Sequence, residues 1–334
     1  VANIDDDSHT MDIKFDAAQF QYDGGKYRDG YLLLSCPNDT MRLVANAMTF
    51  GKNSSANYNL KAQAADNHLN TNILFKTNGK NSVTGSLNAD ARFRNNEQGL
   101  PTADINIQPS QVLVNDTVWN VSTAHILYYA KHLEIDNFSI NHDNQSITVN
   151  GRATDNNDTD KLTVLLNDVD VSYILDIVNF HSVEFAGRAT GKAQAHDIFG
   201  KPEAEAHLLV KDFTFEGGCL GTLDAHADWN LDEGAINIDA LTTDNQRKTK
   251  VDGYVSPKHN DIDLKIKADG TSLKFLETYC DTFMDSINAI GWGDVRVVGP
   301  LKAIQLVGQA RVEGSAKVSA LNTTYTLRGV SVKL

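Results

Sequence analysis

The sequence predicts an all-β protein, a long antiparallel sheet with one dry face, one wet face and two short helices. Three observations predict it. Apolar residues alternate with Asp, Asn, Lys and Thr through most of the 334 residues, the period of a half-buried strand. Turn signals built on Asn, Asp and Gly recur about every 10–15 residues, enough for about twenty short strands. One compound unit also returns in the same order, the mark of a repeat architecture.

The first quarter of the chain is plain alternation. Asp5 to Ser8 read as a solvated leader, and Met11, Ile13, Phe15 and Ala17 alternate after it. Gly24-Gly25-Lys26, Pro37-Asn38-Asp39, Gly51 to Ser55, Asp66-Asn67 and Asn78-Gly79 are turns. Between them lie Tyr31 to Leu34, Leu43 to Ala47, Tyr58 to Ala64, Leu69 to Phe75 and Val83 to Phe93. After the polar loop Asn95 to Pro101 come short apolar pairs, from Ile105 and Ile107 to Ile147 and Val149.

The repeated unit follows. Leu162, Val164 and Leu166 alternate, and Asp170 to Phe180 reads as a helix with Val171, Ile174, Leu175 and Val178 at helical spacing. A Gly-rich strand runs from Val183 to Ala195, a turn lies at Gly200 to Pro202, and Ala204, Ala206 and Leu208 open the next strand. The second copy starts at Ile262, Leu264 and Ile266. Its helix is expected over Thr271 to Ala289 on Leu273, Leu276, Tyr279, Phe283 and Ile287, its Gly strand over Gly291 to Gly299, and its turn at Pro300. The chain therefore reads as one elongated segment, with units near 161–209 and 261–306. Many apolar slots hold Ala or Gly, which suits a lining that leaves space better than a core filled by large side chains.

With 43 acidic and 30 basic residues, the net charge is −13. That disfavours nucleic acid and anionic headgroups, both of which select clustered Lys and Arg. No apolar run reaches the length of a membrane helix. The chain opens on Val1 rather than Met, so it is expected to be a processed product or an excised piece. Cys36, Cys219 and Cys280 allow at most one disulfide.

Motifs for chemistry are weak. Gly291-Trp292-Gly293 has Arg296 where a dinucleotide loop needs its third Gly, and Gly217-Gly218-Cys219-Leu220-Gly221 lacks a Lys-Ser/Thr pair and reads as a hairpin turn. His125 and His132 have no His-Glu pair between them, and His196, His207 and His226 are read at different strand parities. Scattered histidines of this kind predict no metal site. Asp5 to Asp7 and Asp155 to Asp160 lack the spacing of a Ca²⁺ loop. Cys219, with His226 in reach only by sequence, reads as an inert thiol. No cofactor and no catalytic residue is expected.

The repeated unit, the stretch Asn115-Asp116-Thr117-Val118-Trp119-Asn120 through Leu133-Glu134-Ile135-Asp136-Asn137-Phe138 to Ile147-Thr148-Val149-Asn150-Gly151, and the closing Tyr325-Thr326-Leu327 resemble the TamB family of AsmA-like bridging proteins. The resemblance runs from about Val83 to Leu334 and rests on patterns of apolar residues, Gly and Trp. It implies a sheet curled into a U-shaped apolar groove, a β-taco, that crosses the periplasm. It further implies a parent protein anchored in the inner membrane and an outer-membrane barrel protein as its partner. The function implied is passage of phospholipid acyl chains, or support of outer-membrane protein assembly, with no enzymatic activity. The 334 residues show no counterpart of the family's N-terminal anchor and no clear counterpart of its C-terminal segment, so the resemblance leads us to expect an internal piece of the conduit.

The expected lining is Val183, Phe185, Leu208, Val210, Phe213, Ile236, Ile238, Ile262, Leu264 and Ile266, with Phe213 resuming the parity after a bulge at Lys211-Asp212. Periodicity alone favours a closed core over an open groove, and the resemblance reverses that preference. Two other functions fit an all-β chain, a β-solenoid carbohydrate-active enzyme and a cell-surface adhesin. Copurified lipid separates the groove from both.

Overall fold

A computed structural model describes residues 2–5, 10–22, 25–37, 39–50, 55–78, 82–114, 116–155, 159–173, 184–230, 234–301 and 303–333. Among these, twenty-three strands belong to one antiparallel sheet. Helical turns occur at residues 171–173, at the 3₁₀ turn Lys274–Leu276 continuing into α1 (Glu277–Cys280), and at the 3₁₀ turn Ser319–Leu321. The protein is all-β with few helices, as the alternation predicts. Contacts group the chain into two units, Val1–Leu162 and Thr163–Leu334.

The first unit holds β1 (Ala2–Asp5), β2 (Thr10–Tyr22), β3 (Gly25–Ser35), β4 (Met41–Phe50), β5 (Ser55–Ala65), β6 (His68–Asn78) and β7 (Val83–Asn95). Each pairs with the next. The meander then continues through two strands that each break in the middle. β8 (Pro101–Gln108) and β9 (Ser110–Val114) both pair with β7, and Pro109, which has no N–H to give a ladder, separates them. At the break Ser110 Oγ donates to the Gln108 carbonyl at 2.9 Å and accepts the Asn88 N–H at 3.2 Å. β10 (Thr117–Val121) and β11 (Ala124–Tyr129) are the matching halves, both paired to β12 (His132–His142), which pairs with β13 (Gln145–Thr154).

One face of this unit is apolar because pairing lines up the same parity strand after strand. Leu69, Ala91, Ile105, Ile126 and Ile135 stand opposite one another in a row. Ile107, Val121 and Ala124 are buried beside it, packed by Leu87, Val112, Phe138 and Ile140. Asp160 lies just beyond β13, where it accepts hydrogen bonds from Thr154 Oγ1 at 2.6 Å and Arg152 at 3.0 Å. These two donors hold its carboxyl below the ordinary carboxylate range.

β14 (Lys161–Asp170) crosses from the first unit into the second. It lies beside β15 (Phe185–His196), where Gln194 donates to Thr163 Oγ1 at 3.1 Å and Arg188 to Asp168 at 3.0 Å. An unbroken meander follows: β16 (Glu203–Phe215), β17 (Gly218–Asn230), β18 (Ala235–Asp244), β19 (Arg247–Ser256), β20 (Asp261–Ser272), β21 (Met284–Pro300), β22 (Gln305–Val318) and β23 (Thr323–Lys333). Strand, helical turn, strand, strand thus recurs at β14–β16 and β20–β22. The bulge expected at Lys211-Asp212 is present: pairing shifts between Val210 and Phe213, and Asp212 has φ 51°.

The second expected helix needs correction. Of the stretch Thr271 to Ala289, only Lys274–Cys280 is helical, and Met284 to Ala289 are already strand. Ile287, Ala289 and Gly291 are buried at every second position, facing Ala316, Gly314 and Val312 of β22. Ladder pairing across the sheet overrides a helical spacing that a single sequence window cannot tell from it. Most of the other expected helix, residues 174–180, lies outside the described residues.

The accessible surface is 20124 Å². A compact monomer of 36.6 kDa would expose about 13,500 Å², and two separate halves about 16,000 Å² together. The excess is in keeping with the many large apolar side chains left exposed, among them Phe15, Tyr58, Leu74, Trp229 and Leu306. Among the described residues Val169 is the one large side chain buried completely.

Candidate functional site

The candidate site is the apolar face of the second unit, built row by row by strand register. Leu208 faces Ala225, which faces Ala240, Val251, Ile266, Val295 and Gly308 in turn. The next row runs Ala206, Ala227, Ile238, Gly253, Leu264, Val297 and Leu306. A third runs Ala204, Trp229, Ile236, Val255, Ile262 and Gly299. The face is flat in chemistry because each strand offers the same parity, and low in relief because much of each row is Ala, Val or Gly.

Six of the expected lining residues, Leu208, Ile236, Ile238, Ile262, Leu264 and Ile266, lie in these three rows. Ile262 is 9% exposed, and the other five are half-buried. Three more sit at one end of the face and serve a different purpose. Val210 and Phe213 are buried with Ala189, and Phe185 packs on them with Val171, Phe215, Leu220 and Leu223. The Phe185 ring lies 6.0 Å from Phe213 and 5.5 Å from Phe215. This end is a small closed core. Val183 lies outside the described residues.

The helical segment closes the same end from the other side. Phe275 tilts onto Phe215 with ring centroids 5.5 Å apart. Gly218 makes room for it, since a Cβ there would sit 2.8 Å from the Phe275 backbone nitrogen. Leu273, Leu276, Cys280 and Met284 cover the buried trio Ile287, Ala289 and Val312. β17 and β20, with two strands between them in the meander, approach each other. The helical segment shields this end of the sheet through Leu273 and Leu276, while Phe283 is 49% exposed.

The opposite face is charged. Asp239 pairs with Lys250 at 3.2 Å, Asp252 with Lys265 at 4.0 Å, and Asp263 takes both arms of Arg296. That fork holds the Asp263 carboxyl low and the guanidinium high. His196, His207 and His226 all stand on this wet face: His196 is opposite Glu203, and His207 is opposite His226. The reading that placed them at different parities is corrected, because parity within one strand says nothing of its register with the next.

In the first unit a depression of about 520 Å³ is lined by polar side chains including Arg42, Gln63, Asn72, Asn88, Asp90 and Gln108. Among them Asn72 donates to Asn88 at 2.6 Å and Gln108 donates to Asp90. His125 Nε2 lies 2.9 Å from Asp104, and its Nδ1 3.5 Å from Asp136. The Asp104 hydrogen bond raises its pKa against the opposing effect of burial, with Asp136 adding to the rise. The three cysteines are free thiols, and no described helix is long and apolar enough to cross a membrane.

The sheet therefore offers an accessible apolar surface, backed by charge and closed at one end. No family model, curated protein or solved structure matches the chain.

Proposed function

We propose that this chain is a segment of a conduit that carries phospholipid by its acyl chains along the apolar face, with no chemistry of its own. The supporting observation is the set of three rows that keep one apolar parity across the strands from β16 to β21, in which Leu208, Ile236, Ile238, Leu264 and Ile266 are half-buried rather than buried. A closed core would bury such rows. The periplasmic setting, the inner-membrane anchor of a parent protein and the outer-membrane barrel partner belong to the same proposal, and they rest on the resemblance to the TamB family.

The energetics suit a carrier. A sixteen-carbon chain with about half its surface covered gains about 6 kcal/mol at ~0.8 kcal/mol per CH₂. That corresponds to a dissociation constant of order 10–100 μM, tight enough to hold a lipid and weak enough to release it. The low relief of Ala, Val and Gly gives no fixed seat at which a chain would stall.

The test is lipid extraction from the purified chain followed by mass spectrometry. Phospholipid should accompany the protein and fall sharply in Ile238→Asp, where a carboxylate would stand in the middle row. Wild-type protein free of lipid, or a variant with the same lipid load, contradicts the proposal.

A further inference from the structure

The geometry points to a divalent transition-metal site, of the kind that takes Zn²⁺, formed by His207, Asp224 and His226 on the wet face of β16 and β17. His207 and His226 are direct cross-strand partners, with rings stacked at 3.9 Å between centroids and 16° between planes. Asp224 lies two residues before His226 and so projects from the same face. Its Oδ1 is 2.8 Å from His207 Nε2 and 3.8 Å from His226 Nε2. One ligand atom from each residue lies within 4.8 Å of the other two.

A tetrahedral Zn²⁺ with bonds of about 2.0–2.2 Å spaces its ligand atoms about 3.4 Å apart. The distances at this site bracket that value, and because each imidazole offers its lone pair in the ring plane, the two stacked rings turn out of their stack to meet one ion with Asp224. The strands supply the rigidity: pairing runs without a bulge from Glu203 opposite Asn230 to Val210 opposite Leu223. Two imidazoles and one carboxylate favour Zn²⁺ and its neighbours over Ca²⁺ or Mg²⁺. Water completes the shell, because all three residues are exposed. Asp239, opposite His226, and Asp228 on the same strand face add negative potential around it.

The His125 group makes a useful contrast. There one imidazole meets two carboxylates through opposite nitrogens, which cannot converge on a single ion.

A metal bound here would pin β16 to β17 on the side away from the lipid-carrying face. The inference does not depend on that face having the proposed function. The experiment is calorimetric titration of ZnCl₂ into the full chain at pH 7.5 in a non-chelating buffer, with Mg²⁺ as the comparison ion. One Zn²⁺ should bind per chain, with no comparable Mg²⁺ heat. H207A and H226A should each weaken binding by at least about tenfold, while H125A leaves it unchanged. Circular dichroism establishes that each variant retains the sheet. No saturable binding, or Zn²⁺ affinity that H207A and H226A leave unaltered, would mean an adventitious ion only and overturn the site.

Discussion

Gly253 stands directly opposite Leu264 in the middle of the apolar face, and a Cβ on Gly253 would lie 2.0 Å from the Asp263 carbonyl oxygen. Its φ of 140° is one that side-chain-bearing residues avoid. β19 therefore approaches β20 at a point where no side chain fits, and the middle row has a step of zero height beside Leu264. Gly253→Ala should destabilise the protein by about 1–3 kcal/mol, the cost of one strained residue. Urea denaturation measures it, and an unchanged midpoint would mean the strands separate freely there.

The closed end of the face rests on Leu276 rather than Phe283. Leu276 covers Ile287, Ala289 and Val312, while Phe283 is 49% exposed. Leu276→Asp should cost about 3 kcal/mol or more by setting an unpaired charge among apolar side chains. Phe283→Asp should stay within about 0.5 kcal/mol. Chemical denaturation of the two variants should rank them in that order, and the reverse order would show that the helical segment packs by its other side.

His125 should give the first unit a pH dependence. Asp104 and Asp136 raise its pKa in the folded chain above the ordinary 6.5. A raised folded pKa means the folded state holds the proton more tightly than the unfolded chain does. The stabilisation is complete below about pH 6.5 and fades as pH rises through the folded value. With the side chain 40% exposed the gain is small, as for other exposed pairs. NMR titration should find the His125 pKa above 6.5 and lower in Asp104→Asn. Equal values in the two proteins would dissolve the pairing.

The parity of the strands was legible in the residues, because alternation such as Ala204, Ala206, Leu208 and Val210 can satisfy only one face of a sheet. The bulge at Lys211-Asp212 was legible too, since Phe213 resumes an interrupted parity. Register was not legible. Nothing in the sequence of β16 alone sets His207 opposite His226, and a reading strand by strand missed that pair. The extent of the second helix failed for a related reason. Ile287 satisfies a spacing of four from Phe283 and a spacing of two to Ala289, and the partner strand β22 decides between them. Nor could parity tell that Val210 and Phe213 fill a closed end while Ile238 and Ile266 remain half-exposed. That difference is made by Phe185, Phe215, Leu220 and Leu223, which pack on Val210 and Phe213, with Phe275 lying on Phe215 from sixty residues later in the chain.

The central claim is that acyl chains travel on one face of the sheet, and site-specific photo-crosslinking tests it most directly. A photoreactive residue at Ile238 or Ile266 would stand in the apolar rows, and one at Asn237 or Lys265 would stand on the charged side of the same strands. In cells, phospholipid adducts should form at Ile238 and Ile266 and be absent at Asn237 and Lys265. Equal labelling on both faces, or none on either, would contradict the account.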